Sequence, residues 1–308
     1  MHFFQAELPL TEIQALSGEF LALIEKPGAN PKRIQWLSRC LYHVLLGPIA
    51  PLLEPSRSLA VHFSEELQCI PVGALESEDG APLLERFPVW SAADFPWRAT
   101  VPAAEAISGE ARLLVVDTLS SQPGAAANAP LPREGRPSLA SAVFPNHDLV
   151  CGASVTREQF SQLALQAEVL HCRTELTDAV RCPCLHFAIN EAEPVTLPLP
   201  GYNPHPFPRC ALGVLDVEYH GGAAGGTQEI WRRATNLLHY CGVTNVVIPR
   251  WNVPAETRRA FHEAFYEELK NGVSLREAMR TAPLKLRSDP QWRHPHHWAG
   301  FTLSVSHL

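Results

Sequence analysis

The clearest pattern in the sequence is a series of short apolar runs separated by segments with helical spacing. The apolar runs predict buried strands, and the clearest of them are 112–117, 168–172, 211–217 and 245–249. Apolar residues three and four positions apart predict helices at 11–26, 31–53, 156–166, 227–240, 255–270 and 274–286. Strands that alternate with helices predict a mainly parallel sheet covered on both faces, and therefore an α/β fold.

Two further strands are expected, one at 58–63 and a final one at about 297–305, while segments rich in proline and glycine predict loops. Residues 118–137 predict a long exposed loop, and five prolines between Pro198 and Pro208 predict another. In open parallel sheets, ligands and catalytic groups gather beyond the carboxyl ends of the strands. The residues that follow Leu170 and Leu215 are therefore the first place to look for a site.

Composition narrows the class of protein. The chain has 308 residues, 46% of them hydrophobic, which suits one large domain or two closely joined domains. Its net charge of −7 argues against a nucleic-acid-binding surface as the main function. No apolar run approaches the roughly 20 residues that span a bilayer, and the first residues do not resemble a signal peptide. Eight cysteines in such a chain do not predict a disulfide framework, so we expect a cytoplasmic protein with reduced thiols.

Two stretches of the sequence carry a family resemblance. The first contains LYHVLLGPIAPLLEPSRSLAVHF, IPVGAL and GAPLLERFPVW, and the second runs from GVTNVVIPRWNV to WRHPHHWAGFTLS. Together they resemble the CHAT domain family, caspase-like domains often found beside tetratricopeptide repeats. The resemblance covers about residues 36–304 and implies a caspase-like α/β/α sandwich with an N-terminal helical and strand subdomain. We expect an N-terminal helical cap at 1–35, an N-terminal CHAT subdomain at 36–145 and a caspase-like C-terminal subdomain at 146–308.

In active members of this family, a histidine at the end of one strand activates a cysteine at the end of the next. The resemblance aligns HCRTEL (171–176) with the histidine motif and VLDVE (214–218) with the cysteine motif. Glu175 then stands at the position of the base and Glu218 at that of the nucleophile. LHFAIN (185–190) would instead place Asn190 at the base, but the separation of 43 residues from Glu175 to Glu218 fits the family better. Neither alignment retains a catalytic histidine or cysteine.

A carboxylate is a poor nucleophile towards an amide. Two neighbouring glutamates also repel each other unless one holds a proton or a cation lies between them. The resemblance therefore implies a degenerate dyad, with no catalytic residue expected. It further implies a pseudoprotease that serves a bacterial signalling or immune proteolytic system as a binding, regulatory or substrate component. The partner would be a protein, such as an active protease, an effector or a sensor, and the 118–137 loop is a candidate docking or cleavage segment.

Other interpretations remain open: a cysteine peptidase with a dyad not recognised here, a paired-carboxylate acid/base or metal site, and an assembly module. His171 and Cys172 are neighbours on one strand and point to opposite faces, so they cannot form a dyad with each other. The remaining free cysteines fit core positions better than nucleophiles; they are Cys40, Cys69, Cys151, Cys210 and Cys241.

Three patterns resemble ligand sites only in part. Cys182, Cys184 and His186 alternate and are weak zinc candidates, but Pro183 interrupts them and the spacing matches no recognised zinc motif. Histidines at 294, 296 and 297 are explained by the family segment that we expect to start the final strand. The glycine-rich loop at 221–226 lacks the Lys and Ser/Thr of a phosphate-binding loop. We therefore expect no metal and no cofactor, and we interpret the charges of helix 255–270 as a solvated face.

Overall fold

The computed structural model describes residues 8–53, 58–64, 67–93, 106–117, 139–151, 157–177, 185–187, 195–197, 205–220 and 226–306. Its α-helices in these ranges are α1 (Leu10–Ile24), α2 (Pro31–Leu45), α3 (Ala50–Leu53), α4 (Leu83–Arg86), α5 (Leu139–Val143), α6 (Arg157–Gln166), α7 (Gly226–Tyr240), α8 (Ala255–Lys270), α9 (Leu275–Ser288) and α10 (Pro295–Trp298). The strands are β1 (Leu59–Val61), β2 (Val89–Ala92), β3 (Leu113–Asp117), β4 (His147–Cys151), β5 (Val169–Thr177), β6 (Leu185–Phe187), β7 (Val195–Leu197), β8 (Leu212–His220), β9 (Asn245–Pro249) and β10 (Phe301–Val305).

Eight of these strands form one sheet in the order β1-β2-β10-β9-β8-β5-β3-β4. Every neighbouring pair in the described sheet is parallel except β9 and β10, which are antiparallel. β6 and β7 form a separate antiparallel pair. The mainly parallel sheet that the alternating strands and helices predicted is confirmed.

Helices cover both faces of the sheet. One hydrophobic cluster packs α1, α2, α5, α8 and α9 against the face that bears Leu113, Val169 and Val214. A second cluster packs α6 and α7 against the opposite face, which bears Leu114, Leu170 and Leu215. Adjacent strand residues divide between the two clusters because side chains alternate across a strand. The result is a three-layer α/β/α sandwich.

Local side-chain and proline effects explain where α2 begins and ends. The side chain of Asn30 accepts a hydrogen bond from the backbone N–H of Lys32 at 3.0 Å, and Pro31 occupies the first turn of α2. The predicted single helix at 31–53 is instead α2, a 3-10 turn at Gly47–Ile49 and α3. Pro48 explains the break, because it has no backbone N–H to donate and restricts the residue before it.

The end of the chain differs from the expectation. The prediction that the histidines at 294, 296 and 297 start the final strand is wrong: His296 and His297 lie in α10, and β10 begins at Phe301. His294 accepts from the backbone N–H of His296 and so acts as the helix cap. Strands β2 and β4 and helix α5 were not predicted. The 118–137 loop and the predicted helix cap at Thr156 lie outside the described residues.

Candidate functional site

The candidate site lies where β5 and β8, adjacent strands in the middle of the sheet, reach their carboxyl ends. The two strands pair in parallel over nine residues each, and Glu175 is directly in register with Glu218. Neighbouring strands are about 4.8 Å apart, and residues in register point to the same face. The structure therefore places the two predicted positions side by side, as a dyad on adjacent strands requires.

A second polar row lies one step back from the two glutamates on the same face. Asp117, Arg173 and Asp216 are in register across β3, β5 and β8. Arg173 lies 3.7 Å from the carboxylate of Asp117 and 3.8 Å from that of Asp216. The carboxyl end of the central sheet thus carries four acidic side chains on one face, with Arg173 between two of them.

Arg258 of α8 provides a second cation at this face. Its guanidinium donates to the carboxylate of Asp216 at 2.6 Å, to that of Glu218 at 2.7 Å and to the backbone carbonyl of Val253 at 2.8 Å. The side chain of Arg258 is only 5% exposed, whereas that of Glu218 is 37% exposed. One buried arginine therefore links the predicted nucleophile position to the acidic residue two places before it on β8.

Two histidines, His171 of β5 and His262 of α8, lie next to this ion network on its buried side. The Nδ1 atom of His171 is 2.7 Å from the hydroxyl oxygen of Tyr266, and its ring meets that of His262 edge-on with centroids 5.4 Å apart. Arg258, His262 and Tyr266 are four residues apart along α8, so they share the face of the helix that packs on the sheet. The network therefore continues as a buried polar seam between β5, β8 and α8.

Burial and neighbouring charge determine how this seam titrates. Burial, reinforced by His262, lowers the pKa of His171 to about 4, and burial also lowers the pKa of His262. Burial alone would raise the pKa of Asp216, but its electrostatic interactions with His262 and Arg258 outweigh burial, so the pKa of this carboxyl is below its ordinary value. Near neutral pH the seam consequently contains neutral imidazoles and an ionised Asp216.

An open cavity of about 420 Å³ borders Glu218 and Arg258. Its wall includes Glu25, which directly follows α1, and His296 of α10. Glu25 accepts a hydrogen bond from Gln228 of α7 at 2.6 Å. Burial raises the pKa of Glu25, and burial lowers the pKa of His296 to about 4. The cleft at the predicted nucleophile position is therefore built from both ends of the described chain.

Four of the described thiols lack the environment of a nucleophile. Burial raises the pKa of all four, and burial is the largest cause in each case: Cys69, Cys172, Cys210 and Cys241. A catalytic thiol needs the opposite shift, since the thiolate is the reactive species. His171 lies on the face of the sheet that packs against α8, and Cys172 lies on the face that packs against α6 and α7. The two side chains therefore point to opposite faces, as their adjacency on one strand predicted.

The weak zinc candidates fall largely beyond the described ranges. Cys182 and Cys184 lie outside them, and His186 lies on β6. Within the described part of the chain, no three His, Cys, Asp or Glu side chains form a group that could hold a metal ion. The helices described here also include none with the length and apolar character needed to cross a membrane.

Sequence reasoning missed Arg258, which we interpreted as part of a solvated face. Arg259 and Glu263 do lie at the surface, but Arg258 and His262 are each 4% exposed. The signal was present in the spacing, because Arg258 lies three residues before Phe261 and His262 three residues before Phe265, both in the apolar series that continues to Leu269. Helical spacing alone did not reveal that carboxylates on β8 would lie opposite this face.

Comparisons with known proteins agree with the resemblance found in the sequence. Residues 219–306 match the CHAT domain. Tetratricopeptide repeat protein 28 of Mus musculus and its counterpart of the same name in Homo sapiens are each 36% identical to this chain over 69 residues. That match covers 22% of this chain and 3% of each relative, so the chain spans a very small part of their length. The three-layer sandwich with its mainly parallel sheet fits the caspase-like fold of this family.

Proposed function

Because residues 219–306 of this chain belong to the CHAT domain family, we propose that the protein is a pseudoprotease that binds a protein partner and does not cleave peptides. One observation carries the proposal: Glu218, at the predicted nucleophile position, is tied to Arg258 and lies in register with Glu175. A carboxylate that is already paired with a buried cation is a still weaker nucleophile than a free one. The acidic residues at the strand ends then serve the fold rather than a reaction.

The surroundings of the site support the same interpretation. A peptidase base must hold and release a proton near neutral pH, but burial keeps His171 neutral, with its pKa at about 4, and its Nδ1 is bonded to Tyr266. The raised pKa values of the buried thiols also weigh against the alternative of a cysteine peptidase with an unrecognised dyad. The relatives of this chain are tetratricopeptide repeat proteins, and such repeats form extended binding surfaces, which favours a role in protein interaction.

The proposed partner is a protein of the same bacterial signalling or immune system, such as an active CHAT protease, an effector or a sensor. The chain would act as a scaffold, a decoy, an inhibitor or a substrate. The 118–137 loop, which lies outside the described residues, remains the proposed segment for docking or cleavage because of its length and its content of proline and glycine.

The absence of cleavage is tested with an unfolded protein substrate such as carboxymethylated casein, with fragments detected by mass spectrometry. We expect no fragments from the wild type, from Glu218→Gln or from protein treated with iodoacetamide. Cleavage by the wild type would overturn the proposal, and the two treatments then identify the chemistry. Loss of cleavage in Glu218→Gln would indicate a carboxylate mechanism, whereas loss after alkylation would indicate a cysteine peptidase.

The binding half is tested by mixing the protein with an active CHAT protease encoded beside it in the same genome, and following mass by light scattering and integrity by gel. We expect either a stable complex or a single cut within 118–137. A variant with residues 118–137 replaced by a glycine-serine linker of equal length is the matched control, because it retains the described core. An intact chain and no complex with the wild type would contradict the proposed partnership.

A further inference from the structure

A second, smaller cavity lies three strands away from the two glutamates. It has a volume of about 80 Å³ and borders β1, β2, β10 and the middle of α7. Strands β2 and β10 pair over only two residues each, Ser91–Ala92 with Ser304–Val305. The cavity opens beside this short pairing, where Trp90 and Thr302 line it together with Arg250, the residue that follows β9.

Among the described residues, Arg250 is a buried cation without a matching anion. It is 4% exposed, and its guanidinium donates to the backbone carbonyls of Gln68 at 3.0 Å and Ile70 at 3.5 Å and to the hydroxyl of Thr302 at 3.3 Å. The guanidinium carbon lies 4.8 Å from the ring centroid of Trp231. All these partners are neutral, and no carboxylate pairs with Arg250 anywhere in the described ranges.

The described residues in the walls of the cavity add no negative charge. Its ionisable lining residues are His62, Arg232 and Arg250, and no Asp or Glu side chain lies among the described residues that border it. Arg232 is already paired with Glu229 of its own helix at 2.8 Å. In a chain with a net charge of −7, the described lining of the cavity is therefore a local region of uncompensated positive charge, and Arg250 is its source.

Trp90, which also lines the cavity, carries a second buried donor. The residue is 6% exposed and its indole N–H is buried without an acceptor among the described residues. Arg276 covers its ring at 4.7 Å from the centroid, so the face of the indole is occupied while the N–H is not. A buried N–H without an acceptor is costly, and a buried charge without a counterion is more so.

We propose that this cavity is a binding site for a small oxyanion, a carboxylate or phosphate group, held by the charge of Arg250 and a hydrogen bond from the indole N–H of Trp90. One such group would satisfy both residues, because its oxygens accept a hydrogen bond from the indole N–H and its negative charge balances the guanidinium. The volume of about 80 Å³ is below the roughly 300 Å³ at which ordinary small-molecule pockets begin. The cavity thus suits the anionic end of a ligand rather than a whole nucleotide.

The test is isothermal titration calorimetry of the full chain with inorganic phosphate and, separately, with acetate, in chloride buffer of constant ionic strength. We expect saturable binding of at least one anion with one site per chain, and the stronger of the two identifies the ligand group. Trp90→Phe keeps the ring and removes the N–H, so its affinity should fall by about tenfold. Trp36→Phe removes an indole on the exposed face of α2 and should bind like the wild type.

Arg250→Met should abolish binding, whereas Arg232→Met, which alters a cavity residue already paired with Glu229, should change affinity by less than about threefold. If Arg250→Met does not fold, the comparison of Trp90→Phe with Trp36→Phe decides the matter. No binding of either anion by the wild type would overturn the proposal, and so would equal affinities of Trp90→Phe and the wild type.

Discussion

Replacement of Arg258 by methionine is the most direct perturbation of the site between β8 and α8. Methionine fills much of the same volume but cannot donate to Asp216, Glu218 or the carbonyl of Val253. Asp216 would then remain with its side chain 16% exposed and with Arg173 as a cation at 3.8 Å. The carboxylate loses its closest counterion while it stays largely buried.

The expected magnitude follows from that burial. Removal of one partner of a buried ion pair costs about 3–5 kcal/mol, because the other charge is left without compensation. Glu218 is 37% exposed and can be hydrated, so the lower end applies, about 3 kcal/mol. For a chain of 308 residues that corresponds to a fall in melting temperature of roughly 5 °C. Arg259→Met is the matched control, since Arg259 is 68% exposed and pairs with Glu263 on its own helix. We expect that control to change stability by less than about 0.5 kcal/mol.

The assay is urea and thermal unfolding at pH 7, followed by far-ultraviolet circular dichroism. The gap between wild type and Arg258→Met should narrow as the pH falls past the pKa of Asp216, because a protonated carboxyl no longer needs a counterion. The double variant Asp216→Asn/Arg258→Met should recover part of the loss. A cost of Arg258→Met no greater than that of Arg259→Met would refute the view that this arginine holds the strand ends together.

Two further predictions follow from burial and from backbone conformation. The pKa of His171 is about 4 in the fold, against an ordinary value of 6.5. The unfolded chain therefore binds this proton first, and about 3 kcal/mol of unfolding free energy should be lost as the pH falls through that interval. His171→Gln should weaken the dependence of the urea midpoint on pH across the same interval. An unchanged pH dependence in this variant would contradict the lowered pKa of His171. Gly242 has φ +104, and a Cβ there would lie 2.8 Å from the carbonyl oxygen of Phe207, whereas Gly272 at φ +75 has no atom within 4 Å of such a Cβ. Gly242→Ala should therefore lower the melting temperature clearly more than Gly272→Ala does, and equal losses would contradict the steric account.

The sequence predicted the central elements well because their apolar residues are continuous. The runs at 112–117, 211–217 and 245–249 became β3, β8 and β9 with small changes at their ends, since strands buried on both faces require apolar residues throughout. The edge strand β4 was missed because the prediction relied on continuous apolar runs and this strand is not apolar throughout. It reads HDLVC, and Leu149 is 58% exposed, because an edge strand has a neighbour on one side only.

The sequence also determined where to look for chemistry. The resemblance to the CHAT domain family implied that Glu175 and Glu218 stand at the ends of adjacent strands, and the structure brings them into register. Their interpretation as a degenerate dyad remains a prediction. Alternation along each strand then fixes the face on which each side chain lies.

Only the tertiary structure decided what those carboxylates contact. Arg258 is 40 residues from Glu218 in sequence. The local sequence predicts that it lies in a helix but does not show whether its side chain faces solvent or the sheet. Packing of α8 on the sheet places its guanidinium between Asp216 and Glu218 and sets His171 against Tyr266. The cavity around Arg250 depends likewise on the meeting of β2, β10 and α7. Such juxtapositions arise from the relative placement of whole elements, which neither spacing nor composition along the chain encodes in a readable form.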